Sequence, residues 1–312
     1  MADLIAYILR KVILAIPVVL LATLIVFLML FMTGDPINVL APPHASVEQL
    51  DALREKYGLN EPVYVQYGLF LWQLLHGDLG VSVGFFTRDL EVGDLIADRL
   101  PRTLELMAIG LTISYSIGIP LGIFSALRHN SLGDRSVMVF TLLAYAMPSF
   151  WLGILFMWLF AVELSWLPIE GTTGGFASII LPAMTLGVGN AALTTRMMRS
   201  SMLEVIRQDY ITQLRSRGLP EREIIYKHAV KNAILPVITV IGLDIGWFVA
   251  GSVVVETVFS WPGIGRLITD SISNADFPVV RGCILVLALF VIAGNLVADI
   301  LYAYVDPRVR LG

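Results

Sequence analysis

"RSRGLPEREIIYKHAVKNAILPVITVIGL", residues 215–243, holds side by side the two textures whose alternation decides the fold. Its first half carries Arg215, Arg217, Glu221, Arg222, Glu223, Lys227, His228 and Lys231; its second half is apolar. Upstream, "MLEVIRQDYITQLRSRG" sets Leu203, Ile206, Tyr210 and Leu214 three and four residues apart, the spacing of an amphipathic helix. Gly218 ends that helix, Leu219-Pro220 turn the chain, and Glu221 to Lys231 start a second short one. The pattern predicts a polar helical hairpin within 197–235, set between two long apolar runs. A solvated connection needs no such alternation of apolar and basic positions, whereas a knob docking into a partner's cleft does.

Outward from the hairpin, the chain is oily. Of 312 residues 57% are hydrophobic and only 15% charged, against about 25% charged in a soluble domain, and the mean hydropathy is +0.79. Several apolar runs reach the ~20 residues that cross a hydrocarbon core. The expected class is therefore an all-α polytopic membrane protein with spans near 12–32, 103–127, 136–161, 178–197, 236–257 and 282–304. "VILAIPVVLLATLIVFLMLFM" after Arg10-Lys11 exceeds a signal-peptide core and is read as a retained first span. Six crossings put both termini on one side. The loops on that side hold 14 Lys and Arg, including those of the hairpin, against 7 opposite, so both termini are expected in the cytoplasm.

That orientation puts 34–100 outside, too long for a plain connection. Within it Ser46 and Gln49 form a capping-box pattern that opens a short helix ending at Gly58. "PVYVQYGLFLWQLLHG", 62–77, is read as an apolar segment lying on the membrane surface, with a seventh crossing as the alternative. Nothing resembles a phosphate-binding loop, a zinc helix or a paired Cys/His ligand set, and the four histidines are scattered. Cys283, the single cysteine, is read as a small apolar side chain. A chain of this kind moves a solute uphill only on an ion gradient or on a separate ATP-hydrolysing subunit. Asp244 is the clearest ionisable residue deep in a span, and either a translocation-path role or an interhelical hydrogen bond accounts for it. Pro17, Pro120, Pro148 and Pro182 fall inside spans, and "GIPLG", 118–122, has the small residues that suit close helix contact.

The stretch "DYITQLRSRGLPEREIIYKHAVKNAILP", 209–236, resembles the cytoplasmic loop of ABC-importer permeases, in which E-A-A, three residues and a Gly recur. Thr212-Gln213-Leu214 replace E-A-A here, and Gly218 keeps its place. The likeness is closest to the first permease of dipeptide, oligopeptide and nickel importers. It extends to "GDP" at 34–36, "YGLNEPVYVQY" at 57–67, "HGDLGVSV" at 76–83, "RLPRTLEL" at 99–106, "PSFWLG" at 148–153, "LPAMTLG" at 181–187, "VVVETVFSWPGIGRL" at 253–267, "DFPVVRG" at 276–282 and "DPRVR" at 306–310. Leu214 and Asp244 depart from the usual family residues.

This resemblance implies a type I importer-permease fold in a bacterial inner membrane, without catalysis or metal of its own. A first helix (1–33) and an extracytoplasmic helical segment (34–100) would precede a five-helix permease core (101–312). The implied partners are a second homologous permease, two ABC ATPases that bind ATP and Mg, a solute-binding protein and membrane lipid, with no nucleic acid. Asp209, Tyr210, Arg215, Gly218, Leu219, Glu221, Lys227 and His228 would form the ATPase-coupling loop. Asp244, Trp247, Pro148 and Phe150 are translocation-path candidates. Trp261, Pro262, Gly263 and Phe277 are candidates for contact with the outer partner, on a segment that dips back toward the membrane or anchors in its interface. The implied cargo is a short peptide; a nickel chelate or glutathione are alternatives, as is an ion-coupled carrier using Asp244.

Overall fold

The computed structural model describes residues 2–32, 46, 48–49, 55, 60–84, 87–169 and 175–305, with backbone alone at 2–7, 29–32, 242 and 299–305. In chain order the helices are α1 (Ala2–Met32), α2 (Val63–Leu75), α3 (Val92–Leu127), α4 (Leu132–Ala146), α5 (Ser149–Glu163), α6 (Ala177–Ile206), α7 (Asp209–Ser216), α8 (Glu221–Ala233), α9 (Leu235–Val258), α10 (Ile264–Ser273) and α11 (Phe277–Val305). The second halves of α5 (Met157–Glu163) and of α8's first turns (Ile224–Ala229) are π-helical. An isolated bridge, Val81 to Glu91, is the one strand-like pairing among the described residues.

Among the described residues, four helices are by themselves long and apolar enough to cross a bilayer, and up to six crossings result when each of two bent pairs counts as one. One bent pair joins α8 to the start of α9 at 40°. We place the membrane boundary at Leu235, because α8 carries Glu221, Arg222, Glu223, Lys227, His228 and Lys231 whereas α9, about 36 Å long at 1.5 Å per residue, carries only Asp244 and Glu256. The chain forms two compact units, Met1–Thr103 with Pro262–Leu296, and Leu104–Trp261 with Val297–Gly312.

In the first unit α2 lies on α1. The Tyr67 hydroxyl donates to the Leu20 carbonyl at 2.8 Å and meets Thr23 Oγ1 at 2.9 Å. Phe27 sits between Tyr67 and Phe70, and Val26, Phe27, Phe70 and Leu285 are buried together. At 13 residues α2 spans about 20 Å, too short for a seventh crossing. Asp276, just before α11, is buried and collects the Ser82 hydroxyl at 2.5 Å, the Val83 amide at 3.2 Å and the Thr87 hydroxyl at 3.3 Å. One carboxylate thus fixes a loop nearly two hundred residues earlier in the chain. The Ser46–Gln49 capping box forms with both of its hydrogen bonds, at 3.0 and 3.3 Å; the remainder of the expected helix to Gly58 lies outside the described residues.

Two expected boundaries shift. The second span was set at 103, but α3 begins at Val92 and runs for 36 residues, about 54 Å, well beyond a ~30 Å hydrocarbon core. Val92 and Ile96 are buried and supply the apolar stripe that Asp94, Asp98 and Arg99 concealed. Likewise α6 continues past 197 to Ile206. The third span, set at 136–161 with Pro148 inside it, is divided at that proline, with α4 and α5 bent by 110°. Pro148 cannot donate to the preceding turn, and it forces Met147 into an extended conformation (φ −80°, ψ 129°).

The second unit is built on α6, whose apolar window is 67% buried, against 39% for that of α3. Glycines let the two backbones approach. A Cβ on Gly122 would lie 2.6 Å from Met198 Cβ and 2.8 Å from the Thr195 carbonyl, and one on Gly118 would lie 2.7 Å from Thr194 Cβ. From the other side, a Cβ on Gly187 would lie 2.7 Å from the Gly110 carbonyl. Overpacking of this kind costs about 1–3 kcal/mol. Gly118→Ala and Gly122→Ala should therefore each lower the melting temperature of the detergent-solubilised chain. Gly189→Ala, with nothing within 4 Å, should be neutral or stabilising by up to about 1 kcal/mol. Equal melting of all three would refute close α3–α6 packing.

Candidate functional site

The hairpin opens where α6 stops. Arg207 and Gln208 turn the chain, Gln208 is extended (φ −74°, ψ 149°), and Asp209 stands in the first turn of α7, where a negative charge suits the helix dipole. The single amphipathic helix expected over 202–218 is thus two helices. Leu203, Ile206, Tyr210 and Leu214 nevertheless pack on one cluster, as their spacing required. Gly218 adopts φ +77° and closes α7 with a Schellman motif: its own amide donates to the Arg215 carbonyl at 2.9 Å and the Leu219 amide to the Leu214 carbonyl at 3.4 Å. Pro220 restarts the helix, its carbonyl accepting from the Glu223 and Ile224 amides at 2.9 and 3.1 Å.

Across the turn, Arg215 holds Glu221 with two hydrogen bonds of 2.7 and 3.1 Å. Lys227 meets Glu223 at 2.8 Å on the return arm, and Asn232 donates to the Tyr210 hydroxyl at 2.8 Å, tying the two arms at their base. The hydrogen-bonded Arg215 keeps the Glu221 carboxyl below its ordinary pKa, against a weak opposing effect of burial. The pair therefore stabilises the turn above the ordinary glutamate range and is lost as pH falls through the depressed value, a small effect because both groups are exposed. Beneath the charges, Ile211, Ile224, Ala229 and Ala233 are fully buried against Met198, Met202 and Ile123. The π turn explains the register: it buries residues five apart, Ile224 and Ala229, and leaves His228 half-buried instead.

Deeper along the same helices, Asp244 on α9 is 5% exposed. It accepts from the Tyr115 hydroxyl of α3 and, at 2.9 Å, from Asn190 Nδ2 of α6, which also reaches Ser114 Oγ at 3.2 Å. Both donors are neutral. A crevice lined by Tyr115, Leu193, Thr194, Met197, Val237, Val240 and Asp244 borders this cluster.

The sequence-based path candidates do not converge. The helices bearing them, α5 and α9, pack together, but Trp247 (59%) and Phe150 (47%) lie on the exposed surface of the chain while Asp244 is interior. Pro148 is exposed at the 110° break. Of the outer-contact candidates, Trp261 is 3% exposed, Gly263 is buried, and Pro262 and Phe277 are half-buried. The Trp261-Pro262-Gly263 break leads into the ten-residue α10, about 15 Å long and too short to cross. Sequence reasoning missed Tyr226, 60% exposed on the hairpin, and the donors Tyr115 and Asn190. Asn190, polar inside an otherwise apolar run, was the available signal.

Two family models cover nearly the whole chain. "Binding-protein-dependent transport system inner membrane component" matches residues 118–311, and the corresponding N-terminal membrane component matches residues 4–107. The chain is 40% identical over 319 residues to the oligopeptide transport system permease protein AppB of Bacillus subtilis (strain 168), covering 98% of this chain and 99% of that one. It is 38% identical over 333 residues to the dipeptide transport system permease protein DppB of Alkalihalophilus pseudofirmus, with 98% and 99% covered. Among solved structures, a chain of the MetNI methionine ABC transporter, in an inward-facing conformation, superposes with a TM-score of 0.59 at 17% identity, covering 68% of this chain and 96% of that one. The fold is that of a type I importer permease, and the chain belongs to the binding-protein-dependent transport system inner membrane components, the multi-pass inner-membrane permeases of ABC importers.

Proposed function

We propose that this chain forms one half of the membrane path of an ATP-driven importer of short peptides. A second homologous permease completes the path, two ABC ATPases dock on the hairpins, and an extracytoplasmic binding protein delivers the cargo. ATP and Mg belong to the ATPase subunits; this chain hydrolyses nothing and needs no cofactor. The observation that carries the reading is the hairpin: a tip bearing charged Asp209, Arg215, Glu221 and Lys227 and the exposed Tyr226, on an arm whose inner face is fully buried. Such a knob moves as a piece with its base. It joins α6 through the two-residue turn Arg207–Gln208 on one side and, through a 40° bend, α9 on the other. These two helices bear Asn190 and Asp244. A displacement imposed by a closing ATPase dimer thus reaches the buried polar cluster along two rigid rods, in the manner of a two-state switch.

The peptide assignment follows the relatives named for oligopeptide and dipeptide transport. Competition of labelled dipeptide uptake by tripeptides, glutathione and a nickel chelate separates the cargo classes. An ion-coupled carrier using Asp244 would be powered without an ATPase, so uptake by the chain reconstituted alone under a proton or sodium gradient separates it from the permease reading.

Gly218→Pro with Arg215→Glu removes the φ +77° turn, the Gly218 amide and the Glu221 clasp together. It should cut co-purification with the cognate ATPases by about tenfold or more, while membrane insertion is retained. An intact loop that recruits no ATPase would defeat the reading. Asp244→Asn should leave ATPase association unchanged and lower peptide uptake by about tenfold, the scale of one charge-assisted hydrogen bond. Unchanged uptake would reduce Asp244 to a helix-packing residue.

A further inference from the structure

Helix α4 is attached to the second unit in an unusual way. Its buried residues are Asp134 and Thr141, both polar. Its large apolar side chains face outward, with Leu132 81%, Phe140 72%, Leu142 59% and Val139 56% exposed. α4 packs closely along α6, yet none of its large apolar side chains is fully buried there. Two arginines of α6 add polar ties to that contact.

At one end Arg199 grips Asp134 through two parallel hydrogen bonds, Nε to Oδ1 and Nη2 to Oδ2, each 2.8 Å. The carboxylate is further saturated by the Ser125 hydroxyl of α3 and by the Asn130 amide at 2.9 Å, and Arg199 Nη2 also lies 3.0 Å from His129 Nδ1. At the other end the Arg196 guanidinium sits 4.6 Å from the centroid of the Tyr145 ring, and its Nε is buried with no hydrogen-bond partner among the described residues. The turn Arg128–Ser131 and the first turn of α4 are thus strapped to the stretch of α6 that runs on, within two turns, into the hairpin.

We propose that Arg199–Asp134, assisted by Arg196–Tyr145, is the strap that makes α4 travel with α6 when the hairpin is displaced. These are positioning residues for transport, and they carry ATPase-driven motion to the Pro148 break at the far end of α4. The proposal rests on the chain being an ATP-driven permease. Bidentate arginine–carboxylate geometry suits the role, because it fixes orientation as well as distance, and a lysine cannot reproduce it. A helix packed through leucines would also be held, but it would be free to slide along its neighbour; a saturated carboxylate with four donors has one seat.

The test uses the full transporter, reconstituted in vesicles with its second permease, ATPases and binding protein. It measures ATP hydrolysis and uptake of a labelled dipeptide. Asp134→Asn and Arg199→Lys should keep ATPase association, and hydrolysis within about twofold of wild type, while uptake per ATP falls by about tenfold or more. Tyr145→Leu should lower uptake per ATP by about two- to fivefold, the scale of an exposed cation–π contact. A merely structural role would lower assembly and leave uptake per ATP unchanged in the complexes that form. An assembled Asp134→Asn transporter with wild-type uptake per ATP overturns the proposal.

Should that variant fail to assemble, spin labels at Phe140→Cys on α4 and Leu193→Cys on α6 decide in the otherwise native chain. Their separation should be the same with and without ATP, and a change of one helical turn, about 5 Å, overturns the strap. A wild-type chain that recruits no ATPase overturns both this proposal and the proposed function, and that result precedes any variant.

Discussion

The second unit depends on the absence of side chains where α3 and α6 meet. Gly118 and Gly122 on one helix and Gly187 on the other bring backbone against side-chain stems and carbonyls at distances no Cβ tolerates. In a bilayer, lipid tails are as apolar as any leucine, so helix association is driven by close packing and interhelical hydrogen bonds rather than by the hydrophobic effect. The polar cluster and the base of the hairpin both follow from that approach. Ser114 and Tyr115 reach Asn190 and Asp244 because α3 lies so near α6. Ile123 and Ala126 join Met198 and Met202 under the hairpin because the same contact continues to the ends of both helices.

The features legible in the sequence were those written in local chemistry. Gly218 followed by Leu219-Pro220 specifies a stop and a restart whatever surrounds it, and the hairpin forms there with the expected Schellman bonds. Ser46 and Gln49 made their capping box for the same reason. "GIPLG" announced a close contact, though not its partner. What stayed hidden was set by distant or non-helical choices. A proline inside an apolar run leaves kink, break and tolerated insertion all open: Pro17 and Pro182 sit within continuous helices, whereas Pro148 divides one at 110°.

Charge misled in both directions. The polar start of α3 looked like the end of an outer segment, yet Val92 and Ile96 made it a helix docked on Gly282. The aromatic Trp261 looked like an interface residue, yet it is interior. The π turn at Ile224–Ala229 escaped a reading at period 3.6, although the apolar spacing of five between those two residues, then four to Ala233 and four to Val237, had recorded it.

The hairpin separates two tasks that one set of interactions could not perform together. Its exposed ion pairs, Arg215–Glu221 and Lys227–Glu223, are screened by solvent and contribute little to stability. Burying Ile211 and Ile224 contributes about 1.5–3 kcal/mol apiece. Stiffness therefore comes from the apolar face, which no partner needs to touch, and the charged tip is held too weakly to resist rearrangement against a docking surface. In α4 the division is reversed. Its large apolar side chains are turned outward, and within its close packing on α6 the Arg199–Asp134 pair fixes its orientation by a bond with one geometry. A chain that must change shape in a solvent as apolar as its own core gains little from greasy contacts as switches, because they are nearly as favourable after sliding as before. Hydrogen-bonded charges discriminate between positions sharply, and they stand here where the lever meets the spans, at Asp134 and Arg199, and where three spans meet, at Asp244.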